Sequence, residues 1–123
     1  MSNILIIEDD DFFRDLLHKK LKSEGFEIIE AADGQKGIDT LKEKKPDVVL
    51  LDLLLPTIDG FEVLSQARAN SDTAKIPVII LSNLGQQEDI EKALKLGAND
   101  YLIKSQFDMA QVIDKIKTLL EKK

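Results

Sequence analysis

Residues 48–60 constrain the fold of this chain more than any other stretch. Residues 48–55 are all apolar except Asp52, and the turn residues Pro56 and Gly60 follow them. A short apolar run between turn residues is typical of a strand buried on both faces of a parallel sheet. Burying an unpaired carboxylate is costly, so Asp52 either has compensating partners or takes part in chemistry. Because the turn residues Pro56 and Gly60 follow Asp52 closely, we predict that Asp52 lies at the carboxyl edge of the sheet. Open α/β proteins bind ligands at that edge.

Four further apolar segments are predicted to be strands, and each strand is followed by a helical pattern. The other strands are predicted at residues 3–7, 26–31, 76–81 and 99–104, and the helices at 12–22, 35–45, 60–70, 87–96 and 107–120. Strands that alternate with helices indicate βα units and a parallel sheet. Right-handed crossovers then place helices on both faces of the sheet, so we expect one α/β domain over residues 1–123.

Apolar residues at three- and four-residue spacing predict the buried face of each helix. In the first helix they are Phe12, Phe13, Leu16, Leu17 and Leu21; in the fourth, Ile90, Ala93 and Leu94; in the last, Ala110, Ile113, Ile116 and Leu120. Asp10 and Asp11 are predicted to cap the first helix, because acidic residues there accept backbone hydrogen bonds and suit the helix dipole.

Composition narrows the class of protein. The net charge is −6, from 17 basic and 23 acidic residues, which opposes direct binding to nucleic acid through phosphate neutralisation. No apolar run approaches the roughly 18–20 residues that span a bilayer, so we expect no membrane partner. The N-terminus lacks the pattern of a signal peptide, which favours a cytoplasmic protein. The absence of cysteine excludes disulfides and thiolate metal sites.

Polar side chains are predicted to follow four of the five strands. Glu8 and Asp9 follow the first strand, Asp52 the third, Ser82 the fourth and Lys104 the fifth. The carboxyl ends of parallel strands meet at one edge, where clustered acids repel one another and raise some of their pKa values. A hard cation such as Mg²⁺ relieves that repulsion, and an aspartate can form a covalent aspartyl phosphate. The sequence therefore indicates phosphoryl chemistry at this edge.

These residues together resemble a response-regulator receiver domain of two-component signalling, of the single-domain chemotaxis type, over essentially the whole chain. The resemblance is carried by Glu8-Asp9, by Asp52 with Pro56 and Gly60, by Ser82, and by residues 97–101 leading to Lys104. It implies a flavodoxin-like (βα)5 fold, which is a doubly wound parallel sheet with strand order 2-1-3-4-5 in a three-layer α/β/α arrangement.

The resemblance also implies roles for individual residues. Asp52 would be the phosphoacceptor, receiving its phosphoryl group from a phosphohistidine on a sensor histidine kinase or a phosphotransfer protein. The Mg²⁺ ligands would be Glu8, Asp9, Asp52 and the backbone carbonyl of Leu54, with Mn²⁺ as an alternative ion. The residues that contact phosphate would be Ser82, Asn83 and Lys104, and the switch pair would be Ser82 and Tyr101.

On this reading the chain is a signalling switch that catalyses only its own phosphorylation and dephosphorylation. Phosphorylation would alter the surface of the last two helices and the fifth strand, and an unknown downstream protein would read that change. The domain would be a monomer or a weak phosphorylation-dependent dimer. One departure from the family stands out: Ser105 follows Lys104 where the family has a proline after a cis bond, so a trans bond is expected here.

Two other functions fit parts of the pattern. A docking module could keep the fold without phosphotransfer. An aspartate-nucleophile phosphatase of the haloacid-dehalogenase type would also carry a nucleophile like Asp52, but its second acid would stand where this chain has Leu54. Taken singly, the site residues also have ordinary explanations, Asp9 as a helix-start acid, Ser82 as a turn residue and Lys104 as a strand-terminal lysine.

Overall fold

The five predicted strands form one parallel sheet. The computed structural model describes residues 2–106 and 108–121, and its strands are β1 (Asn3–Ile7), β2 (Glu27–Ala31), β3 (Val48–Leu51), β4 (Val78–Ser82) and β5 (Asp100–Ile103). They are arranged in the order β2-β1-β3-β4-β5, and every neighbouring pair is parallel. The predicted flavodoxin-like strand order is therefore confirmed.

Five helices cover the two faces of this sheet. They are α1 (Asp11–Ser23), α2 (Gly34–Lys44), α3 (Gly60–Ala69), α4 (Gln87–Lys95) and α5 (Met109–Glu121). Alternate residues of β1 point to opposite faces, Ile4 and Ile6 into the core shared with α1 and α5, and Leu5 and Ile7 into the core shared with α2, α3 and α4. The three-layer architecture is thus built from strands that are apolar on both faces.

The helical faces differ in part from the predicted stripes. Phe12 is 79% exposed, and Leu16 and Leu94 are also exposed. In α5 Ile113 and Ile116 are buried as predicted and Val112 is buried with them, whereas Ala110 is exposed. Apolar spacing marks a stripe wider than the face a helix presents to a flat sheet, so residues at its margin stay in solvent. The predicted start of the last helix at Phe107 lies outside the described residues.

Aspartates fix where three of the helices begin. The side chains of Asp10, Asp33 and Asp59 accept hydrogen bonds from the backbone N–H groups of the third residue after each of them. This is ordinary N-capping, and it confirms the predicted role of Asp10. A Cβ atom at Gly60 would lie 2.3 Å from the carbonyl oxygen of Asp52, so only glycine lets α3 begin this close to the strand end.

Arg68, at the end of α3, ties together the turn between α4 and β5. Its guanidinium donates hydrogen bonds to the carbonyls of Gly97 and Ile76 and to the side-chain oxygen of Asn99. That oxygen also accepts the backbone N–H of Val78, at 2.9 Å. Residues 97–99, which are part of the motif noted in the sequence, therefore connect the end of α3 to the start of β4 through these hydrogen bonds.

Two further expectations concern single features. Among residues 2–106 and 108–121 there is no cis peptide bond, so Lys104–Ser105 is trans. No helix in the same ranges has the length and apolar character needed to cross a membrane.

The C-terminal end of α2 provides a test of backbone strain. Lys45 caps this helix in the left-handed conformation, at φ 46°, which is unfavourable for a residue with a Cβ atom. Lys45→Gly is expected to raise the free energy of unfolding by about 0.5 kcal/mol, since glycine is favoured at this cap. The exposed helical residue Lys42 is the matched control, because Lys42→Gly should lower it by about 1 kcal/mol. Chemical denaturation would measure both, and equal losses would contradict the strain argument.

Candidate functional site

The predicted site residues meet at the carboxyl edge of the sheet, where the strand order reverses between β1 and β3. Ile7 pairs with Leu51, so Glu8 and Asp52, one residue further along each strand, are neighbours. The backbone N–H of Asp52 donates to the carbonyl of Ile7, at 3.0 Å. Ligands of doubly wound sheets bind at such a reversal point. The fold thus places both carboxylates where a ligand site is expected.

Lys104 joins the two carboxylates in a buried ionic triad. Its Nζ lies 2.8 Å from Oδ2 of Asp52 and also forms an ion pair with Oε1 of Glu8. The side chains of Glu8, Asp52 and Lys104 are only 3%, 5% and 12% exposed. The lysine therefore supplies the compensating charge that the buried Asp52 requires.

The remaining oxygens of both acids are held by backbone groups. Oδ1 of Asp52 accepts the N–H of Leu54 at 3.2 Å, and Oε2 of Glu8 accepts the N–H of Asp10 at 3.1 Å. The guanidinium of Arg14 donates to the backbone carbonyl of Glu8, at 2.8 Å. Each carboxylate is thus fixed in orientation before any ligand arrives.

Burial and neighbouring groups shift the pKa values of Glu8 and Lys104. Burial raises the pKa of Glu8 to about 7, and the negative charge of Asp52 acts in the same direction, while the hydrogen bond from Lys104 opposes it. Burial alone would lower the pKa of Lys104, but its hydrogen bonds to Asp52 and Glu8 outweigh that effect and raise it. Lys104 is consequently a stable cation between the two acids.

Glu8, Asp9 and Asp52 also satisfy the requirements of a divalent cation site. One carboxylate oxygen from each lies within 4.8 Å of the others, and Asp9 is exposed beside its two buried neighbours. Within the described ranges this is the one cluster of three acidic or histidine side chains so arranged. Carboxylate oxygens completed by water are the donors Mg²⁺ prefers. The donor set therefore fits the predicted ion.

The predicted switch residues are linked through Leu84. The buried Ser82 accepts the backbone N–H of Leu84 on its Oγ, at 3.4 Å, and the hydroxyl of Tyr101 donates to the carbonyl of Leu84. Burial raises the pKa of Tyr101 to about 12, with the charges of Asp89 and Asp52 adding to the effect. Asn83 is exposed beside them, and its predicted contact with phosphate stays a prediction.

Three contacts at the site were not predicted from the sequence. The ring of Phe13 lies under the ammonium of Lys104, with 4.7 Å between Nζ and the ring centroid, and Arg14 holds the backbone of Glu8. Both residues belong to α1 and carry no pattern that distinguishes them from ordinary helix residues. The ion pair between Glu8 and Lys104 was likewise not predicted, because it depends on side-chain reach.

Comparison with known proteins identifies the family. Residues 4–117 match the response regulator receiver domain family. The chain belongs to this family. The prediction of a receiver domain that acts as a phosphorylation-controlled signalling switch is confirmed at this level, and neither the docking module nor the phosphatase is favoured.

Individual relatives agree with this assignment. The chain is 39% identical over 122 residues to the DNA-binding dual master transcriptional regulator RpaA of Synechocystis sp., covering 99% of this chain and 50% of RpaA. The receiver domain thus spans about half the length of the curated relatives that it matches.

Solved structures give the same result. The receiver domain of Francisella response regulator 1452 matches with a TM-score of 0.92 and 28% identity, covering 99% of this chain and 98% of that one. The receiver domain of the sensor histidine kinase PA1611 from Pseudomonas aeruginosa matches with a TM-score of 0.89 and 28% identity, covering 98% of both chains. The PA1611 structure has a magnesium ion coordinated in its active-site cleft.

The buried triad predicts how Mg²⁺ and Lys104 affect each other. Lys104→Met should tighten Mg²⁺ binding about tenfold, equivalent to about 1.4 kcal/mol, because it removes a cation that competes for the same carboxylates. Calorimetric titration would measure the affinity.

Mg²⁺ at ten times its Kd should also raise the stability of the original chain by about 1.4 kcal/mol.

Lys44→Met is the matched control, since it removes the same charge from the exposed end of α2. It should leave Mg²⁺ affinity within a factor of two. Weaker Mg²⁺ binding in Lys104→Met would contradict the competition between lysine and ion. The absence of a thermal shift between chelator and Mg²⁺ would contradict Mg²⁺ binding itself.

Tyr101 is the only tyrosine in the chain, so its ionisation can be followed by ultraviolet absorbance. The folded protein should titrate near pH 12, and the chain in denaturant near pH 10, because burial disfavours the phenolate. The folded state then holds the proton more tightly, so this group's contribution to stability is complete below pH 10 and is lost as the pH rises towards 12. Tyr101→Phe should abolish the absorbance change, and a midpoint near 10 in folded protein would refute the shift.

Proposed function

We propose that Asp52 of this receiver domain accepts a phosphoryl group from a phosphohistidine on a histidine kinase or phosphotransfer protein. The observation that supports this most directly is the contact between Lys104 and Asp52 inside a cluster of acids at the carboxyl edge of the sheet. A buried lysine beside the acceptor can pair with the added phosphate, as amine and phosphate do in other phosphoryl-transfer sites.

The residues proposed to hold Mg²⁺, or Mn²⁺, are Glu8, Asp9, Asp52 and the carbonyl of Leu54. When bound, the ion supplies positive charge that neutralises phosphoryl oxygens. Asp9 is the exposed member of the set, so it would be the ligand open to solvent. Glu8 and Asp52 are already oriented by the N–H groups of Asp10 and Leu54.

In the transfer step a carboxylate oxygen of Asp52 attacks phosphorus. A P–O bond forms, the P–N bond to the donor imidazole breaks, and the leaving nitrogen keeps the electron pair and takes a proton from solvent. Lys104 stays protonated throughout, since its hydrogen bonds to the two acids raise its pKa. Its ammonium group would exchange a carboxylate oxygen for a phosphoryl oxygen as its partner. Ser82 and Asn83, at the end of β4, are proposed to contact the remaining phosphoryl oxygens.

The output of this step is proposed to pass through Leu84. If the Ser82 hydroxyl turns to the phosphoryl group, the bond that it accepts from Leu84 is lost. The carbonyl of Leu84 is the partner of Tyr101, so the same movement releases the tyrosine hydroxyl. A local change of charge thereby alters the face formed by α4, β5 and α5.

The downstream partner is proposed to be a protein that binds this face, with the domain itself a monomer or a weak dimer when phosphorylated. The net charge of −6 opposes direct contact between this domain and nucleic acid. The relatives that include RpaA are transcriptional regulators about twice as long as this chain, so in those proteins the output involves further residues.

Chemical labelling separates this function from a docking module. Acetyl phosphate with Mg²⁺ should add one phosphoryl group per chain, because the small donor needs only the acceptor site itself. Asp52→Ala should lose the label completely, as measured by intact mass, and chelation of Mg²⁺ should prevent it in the original chain.

The exposed Asp39 provides the control, since Asp39→Ala removes a carboxylate from α2 that accepts a hydrogen bond from Gln35. It should label like the original chain. Labelling that persists in Asp52→Ala would place the acceptor elsewhere, and an unlabelled original chain would favour the docking module. Sustained hydrolysis of phosphate esters would instead favour the phosphatase.

A further inference from the structure

The loop that follows Asp52 is tied to the beginning of α2. The N–H of Gly34 donates to the carbonyl of Pro56, and the N–H of Gln35 donates to Oγ1 of Thr57, both at 3.1 Å. The Thr57 hydroxyl in turn donates to Oδ1 of Asp33, at 3.3 Å. Three hydrogen bonds therefore connect two loops that are more than twenty residues apart in the chain.

The backbones of these two loops are in direct contact. A Cβ atom at Gly34 would lie 1.8 Å from the carbonyl oxygen of Ile58, so no other residue fits there without movement. The side chain of Asp33 also caps α2 by accepting the N–H of Lys36, at 2.8 Å. The start of α2 thus forms a fixed support for the loop.

Thr57 adopts a conformation that its side chain disfavours. Its φ is 66°, and Lys45 is the only other non-glycine residue with positive φ in the part of the chain that the structure describes. Branching at Cβ makes the left-handed region especially unfavourable. Such strain persists when surrounding contacts determine the conformation, and here the hydroxyl makes two of those contacts.

Leu54 lies between two anchored points of this loop. On the N-terminal side of the Leu54 carbonyl, which is the predicted cation ligand, the N–H of Leu54 donates to Oδ1 of Asp52. On the C-terminal side, the carbonyl of Pro56 accepts the N–H of Gly34. The side chain of Thr57 is hydrogen-bonded to Asp33 and Gln35. Since peptide units are planar, anchors on both sides restrict the direction in which the Leu54 carbonyl points.

We propose that Thr57 is a positioning residue for the cation site: its hydroxyl, bridging Asp33 and the N–H of Gln35, holds the loop so that the Leu54 carbonyl and the Asp52 carboxylate face one ion. This inference rests on the proposed function, because it assumes that the ion binds at Asp52. Thr57 is not among the residues proposed to bind the ion or the phosphoryl group.

Three substitutions at Thr57 separate the hydroxyl from the backbone conformation. Thr57→Val removes the hydroxyl and keeps the branched shape, Thr57→Gly removes it and relieves the left-handed strain, and Thr57→Ser keeps it. Mg²⁺ affinity is measured by calorimetry, and the unfolding midpoint is measured in chelator. Thr73→Val is the matched control, because it removes a buried threonine hydroxyl that donates to the carbonyl of Ala67 at 2.6 Å.

Thr57→Val and Thr57→Gly should each weaken Mg²⁺ binding about tenfold, the lower end of the loss seen when an outer partner of a metal ligand is removed. Thr57→Ser should bind within twofold of the original chain. Thr57→Gly should unfold at a higher temperature than Thr57→Val. The two variants would then have similar Mg²⁺ affinities but different stabilities. Thr73→Val should lose stability and keep its Mg²⁺ affinity, as expected for a hydroxyl that serves the fold alone.

Two failures remain distinguishable. If the original chain binds Mg²⁺ and takes the label while Thr57→Val and Thr57→Gly bind within threefold of it, the positioning role is overturned and the proposed function stands. If the original chain binds no Mg²⁺ at millimolar concentration, both are overturned. Should Thr57→Val not fold, Thr57→Gly decides the question by the same threefold limit.

Discussion

The sharing of one lysine by two buried carboxylates is the interaction on which the rest of the site depends. Glu8 and Asp52 directly follow neighbouring strands, and without Lys104 they would face each other as like charges in a region of low solvent access. The lysine makes this arrangement tolerable, yet it also occupies oxygens that an ion and a phosphoryl group would need. Lys104 therefore balances the charge of both acids, and the proposed ion would compete with it for the same oxygens.

The surrounding fold supplies rigidity at this point. The central strands are apolar on both faces and almost completely buried, so their ends cannot shift independently. Helix α3 begins immediately beside the strand end because Gly60 leaves room for the backbone of Asp52. The start of α2 supports the same loop from the other side. The position of Asp52 is thus set by backbone packing, and its charge is balanced by the long side chain of Lys104, which crosses the edge of the sheet.

The sequence predicted the layered fold and the gathering of Glu8, Asp9, Asp52, Ser82 and Lys104, because both follow from where parallel strands end. It did not predict the ion pair between Glu8 and Lys104, since reach and rotamer decide which acid a flexible lysine meets. The exposure of Phe12 and Leu16 was also missed, because periodicity alone does not give the width of a contact face. The left-handed Thr57 carries no sequence signal, as threonine is an uncommon choice for that conformation.

Helix α4 is held very differently at its two ends. Its C-terminal end leads into the turn that Arg68 binds through several hydrogen bonds, whereas Gln86 at its beginning makes no side-chain capping bond. Uncapped helix ends fray, so we expect the first turn of α4 to open more readily than its C-terminal end. That turn is also the one nearest to Ser82 and Leu84 in the chain. If Asp52 is phosphorylated as proposed, this turn is the part of α4 that can unfold and refold locally with the smallest change in the rest of the molecule.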